Sequence, residues 1–194
     1  MWLGAVLPGP RSWLSLALGL AAIMATLFVV QSAWYPWAYS ISFGPILPGT
    51  WVGELRPAVG GKHVVFMELR ADLGESDDNL AGTVSLCSRG ELHRFGLTGR
   101  TLNWRGTAFK ITSYIIERTD GRGVQLGNSE GEWDGKDEIR VNTHLRLFLI
   151  KDGGSISTTA RTPEQIALED TPAVFTMRRD TVQAFAFACR ALAR

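Results

Sequence analysis

The pattern of hydrophobic and polar residues changes near Gly53. From Ser12 to Gly53 no side chain is charged, and the part from Ser12 to Gln31 is almost wholly apolar. A helix of about 20 such residues spans the roughly 30 Å hydrocarbon core of a bilayer. Beyond Gly53, apolar and polar residues alternate with period two, which is typical of half-buried antiparallel strands. The pattern therefore predicts one transmembrane helix over residues 12–31 and a β domain over residues 49–194.

The alternation in the β domain predicts a barrel. In its clearest segment, Ile139, Val141 and Leu145 alternate with Arg140 and Asn142. Clusters rich in Gly, Asn and Asp separate such segments at short intervals, one of them at residues 120–123, and they predict tight turns. The expected fold class is mostly β, an antiparallel up-and-down meander of seven or eight strands. Closing the meander removes its exposed edges, so a small barrel is favoured over an open sandwich.

Two helices are expected near the end of the chain. Thr162-Pro163-Glu164-Gln165 is a capping box with proline at the first helical position, which predicts a short helix at 163–169. Apolar residues at helical spacing follow Asp180, a predicted N-cap. They predict an amphipathic C-terminal helix at 181–193.

The apolar N-terminal run is either an uncleaved anchor or a signal peptide. The apolar core of a signal peptide has about 7–15 residues, whereas Leu14 to Val30 is 17 residues long. The length favours an uncleaved anchor, although Val30-Gln31-Ser32 and Ala38-Tyr39-Ser40 offer plausible cleavage sites. We therefore expect a short N-terminus at 1–11, contact with the lipid bilayer through residues 12–31, and a juxtamembrane collar rich in aromatic residues and proline at 32–48.

Aromatic residues flank the apolar run on both sides. Trp13 precedes it, and Trp34, Tyr35 and Trp37 follow it. Because Trp and Tyr rings collect at the headgroup level of membranes, these four residues are predicted to lie at the membrane interface. The alternative is that the rings after the helix belong to the core of the folded domain.

Charge gives a membrane orientation and excludes one class of partner. Arg11 is the only charged side chain before residue 54, so the positive-inside rule places the N-terminus in the cytoplasm. The barrel is then expected in a periplasm or outside the cell, with a cytosolic barrel as the alternative. The domain beyond residue 53 has 19 acidic and 19 basic residues, and this balance offers no footprint for a nucleic acid polymer. Arginine supplies 16 of the 20 basic residues, which is typical of a GC-rich bacterial genome.

The two cysteines are candidates for a disulfide. Cys87 lies opposite the apolar face of its predicted strand, and Cys189 lies on the apolar stripe of the predicted terminal helix. In an oxidising compartment such a pair staples the helix to the outside of the barrel. The alternative is two buried thiols that never meet.

Few residues suggest ligand chemistry. Arg140, His144 and Arg146 share the most polar strand face, where two arginines beside a histidine suit an anion, unless the face is simply solvated. No two histidines have the local spacing of metal ligands, and no cofactor motif is present. The chain has neither a G-x-S-x-G nucleophile motif nor a phosphate-binding glycine loop, so no metal, cofactor or catalytic residue is predicted.

Gly49-Thr50-Trp51, at the start of the first predicted strand, resembles the G-x-W motif of lipocalins and other calycin barrels. The resemblance implies that Trp51 plugs one end of the barrel beside a basic residue of the last strand, for which Arg178 and Arg179 are candidates. A C-terminal helix tied to the barrel by a disulfide would also be similar. A lipophilic ligand is implied only loosely, because fold does not fix function and the T-D-Y-like second motif is missing.

The layout is also similar to that of membrane-anchored β-barrel effectors of bacterial anti-phage signalling, in which a cytosolic barrel senses a cyclic nucleotide. This chain has one convincing span where those effectors have two. The first expectation is a non-catalytic, extracytoplasmic module that binds a small-molecule ligand or a membrane-protein partner. The alternative is a cytosolic sensor of an anionic small molecule, and the third is an enzyme with a site assembled inside the barrel.

Overall fold

The N-terminal part of the protein is a long apolar helix. The computed structural model describes residues 10–39, 45–57, 61–74, 77–88, 91–116, 121–151, 155–156 and 172–192. Helix α1 is Pro10–Trp34, and its segment Trp13–Trp34 is long and apolar enough to cross a membrane, a test that signal sequences also pass. The predicted N-terminal apolar helix is confirmed, and it extends three residues beyond its predicted end.

In the described part of the chain, eight antiparallel strands form a closed barrel, which confirms the predicted fold class. The strands are β1 Gly49–Leu55, β2 His63–Ala71, β3 Leu80–Ser88, β4 Glu91–Thr101, β5 Ala108–Ile115, β6 Gly121–Trp133, β7 Glu138–Lys151, β8 Ser155–Ile156 and β9 Pro172–Arg179. Strands from β1 to β7 pair with their neighbours in sequence, and the ring closes because β9 pairs with both β7 and β1. The two-residue β8 pairs with the last residues of β7 and is not a barrel strand.

Apolar side chains from the barrel strands fill the described part of the interior. Trp51, Met67, Val141 and Phe175 lie in one buried cluster with most of the other inward residues. Because successive residues of a strand point to opposite faces, this cluster accounts for the alternation along the chain. Removal of this apolar surface from water is the main contribution to the stability of the barrel.

We call the end of the barrel where β1 begins the proximal end and the opposite end the distal end. Residues 72–74, 77–79, 102–107 and 134–137 lie at the proximal end, together with the described residues of the collar. Trp37 and Leu47 of the collar are buried in the barrel core, and the Leu47 N–H donates a hydrogen bond to the Trp37 carbonyl over 2.9 Å. The chain therefore enters the barrel core only three residues after α1 ends.

Helix α2, Val182–Leu192, packs against the outside of the barrel. Phe185 is buried against Phe66 of β2, with ring centroids 5.5 Å apart. The prediction of a C-terminal helix is confirmed, but its N-cap is Thr181, whose hydroxyl accepts a hydrogen bond from the Ala184 N–H at 3.4 Å. The carboxylate of Asp180 instead accepts the Thr181 N–H at 2.7 Å, so the cap lies one residue later than predicted.

One sequence prediction differs from the structure, and another lies outside the described residues. Residues 121–123, predicted as part of a turn, lie inside β6, where Gly121 and Arg122 pair with Ile150 and Leu149 of β7. The backbone groups of the glycines are thus used in a strand ladder and not in a turn. The short helix predicted at 163–169 lies outside the described residues.

Candidate functional site

A β-bulge in β6 interrupts the barrel wall. The pairing of β6 with β7 shifts register between Leu126 and Ser129. On its other side, β6 pairs with β5 only from Ala108 to Ile111, opposite Ser129 to Glu132. A bulge bends and twists its strand, so β5 and β6 diverge beyond this point.

Side-chain hydrogen bonds close the gap that the bulge leaves between β5 and β6. The Ser113 hydroxyl donates a short hydrogen bond to the Leu126 carbonyl, and Gln125 Nε2 donates to the Ser113 carbonyl over 2.8 Å. Next to them, Ser129 Oγ donates to Thr143 Oγ1 over 2.7 Å. Buried hydroxyls need such partners, and the bonds of Ser113 and Gln125 stand in for the missing backbone ladder between β5 and β6.

A groove runs along the outside of the barrel over this seam. Its first part has a volume of about 450 Å³ and is lined by Lys110, Ile111, Thr112, Asn128, Ser129, Glu130, Asn142 and His144. Its second part has a volume of about 280 Å³ and is lined by Glu130, Glu132, Arg140, Asn142 and Val174. Because Glu130 and Asn142 line both parts, we treat them as one feature and call it the outer groove.

The outer groove carries both signs of charge. Lys110 Nζ lies 2.8 Å from Glu130 Oε1, and both side chains are more than half exposed. Arg140 of β7 lies opposite Glu132 of β6 in the strand register. Two carboxylates thus offset the two cations, so the groove lacks the excess of positive charge that attracts an anion.

The three polar residues predicted to face a ligand lie apart on the outer surface. Arg140, His144 and Arg146 are all exposed, and Arg140 and His144 line different parts of the outer groove. Arg146 lies beside Gly127 of the bulge. At about 3.4 Å per strand residue, the Cα atoms of Arg140 and Arg146 are roughly 20 Å apart, too far for both to hold one phosphate-sized anion.

Trp51 lies at the proximal end with an arginine over its ring. Its side chain is fully buried, and its indole N–H donates to the Leu47 carbonyl over 3.2 Å. The guanidinium of Arg179 lies 4.3 Å from the ring centroid and donates to the Pro48 carbonyl over 3.2 Å. Of the two arginines implied by the calycin resemblance, Arg179 thus covers the ring, while Arg178 forms an exposed ion pair with Glu138.

The pKa of Arg179 reflects its position. Burial lowers the pKa of the guanidinium, because the charged form loses water, and the charges of Asp137 and Asp134 act in the opposite direction. The group remains cationic, since arginine titrates far above neutral pH. A permanent positive charge therefore lies above the face of the Trp51 ring.

The four predicted interface aromatics occupy different environments. Trp13 and Trp34 are 60% and 73% exposed, whereas Tyr35 is half-buried against the core cluster. Trp37 is 1% exposed and lies in that cluster, so its ring is not available to lipid headgroups. Gly106 of the loop between β4 and β5 makes room for it, because a Cβ at that position would lie 2.3 Å from the Trp37 Cβ.

The two cysteines are joined across the barrel wall. Cys87 of β3 and Cys189 of α2 form a disulfide with Cα atoms 5.6 Å apart, 102 residues from each other in sequence. Cys87 points away from the lumen and toward the helix, where it packs with Phe66 and Phe185. The bond links the last helix covalently to the barrel.

Other polar residues are divided between the lumen and the outer surface. His63 is buried and shares the inward face of β2 with Val65 and Met67, and His93 shares the inward face of β4 with Phe95. His144 lies outside, so the three histidines do not meet. The buried hydroxyls of the seam were missed at the sequence level, although a threonine at position 143 on an otherwise apolar face and Gly127 within a strand are signals of a bulge.

Comparison with known proteins finds no matching family model, no matching curated protein and no matching solved structure. The resemblances seen in short motifs and layout are therefore not supported by a relative. The function has to be inferred from the geometry and chemistry of the outer groove, the disulfide and the helix–barrel junction.

Proposed function

We propose that this chain is a single-pass, membrane-anchored β-barrel module that lies outside the cytoplasm and assembles with a protein partner, without catalysis of its own. The observation that carries the binding role is the outer groove. It is concave and polar, and its charges of both signs are spread along three strands. Such a surface suits a folded protein with complementary charges better than a compact anion.

The groove also has the composition of a modest protein interface. Asn142 and Thr112 offer hydrogen-bonding groups to solvent, and the exposed Val174 adds an apolar contact at one end. Polar rims around small apolar contacts are usual in interfaces that form between separately folded proteins. The partner would sit on the side of the barrel and leave both ends uncovered.

The disulfide supports an extracytoplasmic barrel. Disulfides persist in oxidising compartments and are rare where glutathione keeps thiols reduced. The bond between Cys87 and Cys189 closes a segment of 102 residues. Together with Arg11, the single positive side chain at the N-terminal end of the helix, this favours an N-terminus in the cytoplasm and a barrel across the membrane.

The collar argues against cleavage of the apolar helix near residue 40. Cleavage near residue 40 would remove Trp37 and Ala38, both of which are buried in the barrel core. Loss of a buried tryptophan costs about 3–5 kcal/mol in typical cores, a large part of the stability of a small domain. Cleavage near residue 32 would leave these residues in place, but the length of the apolar run from Leu14 to Val30, which exceeds the apolar core of a signal peptide, argues against that site.

A topology experiment tests the location. A C-terminal alkaline phosphatase fusion to the full chain is expected to be active, and a cytosolic reporter at the same position is expected to be silent. Thiol alkylation of the native protein before reduction should leave Cys87 and Cys189 unmodified. The reverse pattern of reporters, with quantitative labelling of both cysteines, would refute the proposal and favour the cytosolic sensor of an anionic small molecule.

Site-specific photocross-linking tests the groove. A photoreactive residue at Asn142, in the centre of the groove, is expected to form a discrete protein adduct in native membranes, and Glu132→Arg should reduce its yield by reversing one charge. The matched control is Arg70, which is exposed on β2. Equal adduct yields at both positions, or a yield that Glu132→Arg does not change, would contradict assembly through the groove.

A further inference from the structure

The loop between β4 and β5 presents two large apolar side chains at the proximal end of the barrel. Leu102 is 48% exposed and Trp104 is 63% exposed. The loop is held in one conformation by Asn103, whose Oδ1 accepts the Thr107 N–H over 3.0 Å and whose carbonyl accepts the Gly106 N–H over 3.1 Å. A hydrogen-bonded turn thus holds Trp104 in an exposed position.

This turn packs directly against the segment that leaves the membrane helix. Gly106 lies against the side chain of Trp37, which is buried in the barrel core only three residues after Trp34, the last residue of α1. Three extended residues reach at most about 11 Å. The proximal end of the barrel therefore cannot lie far from the point where α1 ends.

The length of α1 places that point at the membrane surface. The 22 residues from Trp13 to Trp34 extend about 33 Å at 1.5 Å per residue, close to the roughly 30 Å of a hydrocarbon core. Trp34, which is 73% exposed, then lies at headgroup level. Because the collar is short, the loop with Leu102 and Trp104 lies beside the same layer.

We propose that Leu102 and Trp104 insert into the headgroup layer of the membrane that holds α1, so that the barrel rests on the bilayer with its proximal end down. This inference depends on the membrane anchoring in the proposed function but not on which side of the membrane the barrel lies. Trp rings are amphipathic and concentrate at the membrane interface. Trp34 and Trp104 would form a two-point contact, one from the helix and one from the barrel.

The residue beside Trp104 fits this environment. The guanidinium of Arg105 lies 5.1 Å from the centroid of the Trp104 ring. Arginine side chains at an interface extend their charge toward phosphates and water while their stems contact apolar groups. The β domain has no net charge, so docking is expected on a zwitterionic bilayer and should not require anionic lipid.

Depth-dependent fluorescence quenching tests the proposal on the full chain with its native disulfide, reconstituted in phosphatidylcholine vesicles. An environment-sensitive thiol probe is attached to Trp104→Cys, to Leu92→Cys or to Leu27→Cys in separate proteins. Leu92 is the matched control, because it is an apolar, 58% exposed residue near the distal end of β4, the strand that leads into this loop. Leu27 lies within α1 and reports on membrane insertion. A non-reducing gel checks that each variant keeps the native disulfide.

The probe at Trp104→Cys is expected to show blue-shifted emission and to lose fluorescence to headgroup nitroxides, while the probe at Leu92→Cys remains unquenched. Quenching at Trp104→Cys no stronger than at Leu92→Cys, with the Leu27→Cys probe quenched by deep nitroxides, would overturn docking and leave the anchor intact. If the Leu27→Cys probe is also unquenched, the anchor and the docking both fail.

Discussion

The stacking of Arg179 on Trp51 predicts an energetic coupling between these two side chains. Arg179→Met keeps an apolar stem of similar length and removes the charge. A cation over a tryptophan ring contributes about 0.5–1 kcal/mol when exposed and about 2 kcal/mol when desolvated. Arg179 is half-buried with its guanidinium 4.3 Å from the ring centroid, so a value between these limits is expected.

Arg179→Met also removes the hydrogen bonds of Arg179, which increases the loss of stability. The desolvation of the charged guanidinium has the opposite effect and reduces that loss. The bonds to the Pro48 and Lys136 carbonyls are 3.2 and 3.3 Å long, and typical hydrogen bonds contribute about 1 kcal/mol net. The burial that lowers the pKa of Arg179 also makes its charge costly to retain. We therefore expect Arg179→Met to lower the free energy of unfolding by about 1–2 kcal/mol.

A double-mutant cycle with Trp51→Leu isolates the contact. Unfolding of the full chain by urea in detergent micelles, followed by near-ultraviolet circular dichroism, gives the free energies. A coupling of about 1 kcal/mol between the two substitutions is expected. The matched control is Arg178→Met, because Arg178 is 76% exposed in its ion pair with Glu138 and such pairs contribute about 0–1 kcal/mol.

Two results would refute the reasoning. The first is a coupling smaller than about 0.3 kcal/mol, which is within the additivity expected of independent sites. The second is a decrease in the free energy of unfolding for Arg179→Met that is no larger than the decrease for Arg178→Met. Either result would mean that the arginine covers the Trp51 ring without stabilising the proximal end.

Gly99→Ala should lower the thermal midpoint measured by circular dichroism, because the new Cβ would lie 2.1 Å from the Lys110 carbonyl oxygen and overpacking costs about 1–3 kcal/mol. An unchanged midpoint would show that β4 and β5 adjust freely. Phe185→Ala removes the buried side chain that anchors α2, so urea unfolding should show that the free energy of unfolding falls by about 3–5 kcal/mol. A decrease below about 1 kcal/mol would mean that the helix contributes little packing. The hydrogen bond from Lys62 lowers the pKa of Glu54, so the stabilisation from this carboxylate should be complete above its unfolded pKa and lost as the pH falls through its folded pKa. The stability difference between wild type and Glu54→Gln should therefore shrink on acidification in urea titrations, and a difference independent of pH would contradict the pairing.

Residues with strong local signals were predictable from the sequence. The apolar run that becomes α1 and the alternation at Ile139, Val141 and Leu145 each follow from a fixed geometric period. The alternation along β2 puts His63 on the same face as Val65 and Met67, and the structure has all three buried. These features depend only on neighbours in the chain, so no knowledge of the tertiary fold is needed.

Local sequence patterns predict only part of the outer groove. The alternation predicts that Arg140 and His144 share one strand face, and both are exposed in the structure. The bulge at Gly127 decides which residues of β6 point inward, and a one-residue change of register reverses every side chain beyond it. The contributions of Glu130 and Glu132 to the groove depend on this register.

The sequence by itself determined a membrane-compatible helix, an antiparallel barrel and a C-terminal helix, because each has a hydrophobic period set by backbone geometry. Only the tertiary structure decided that Trp37 lies in the barrel core, that Arg179 and not Arg178 covers Trp51, and that charges of both signs share one groove. These outcomes depend on contacts between residues far apart in the chain. Closure of the barrel and the register of its strands fix such contacts, and local sequence patterns carry no information about them.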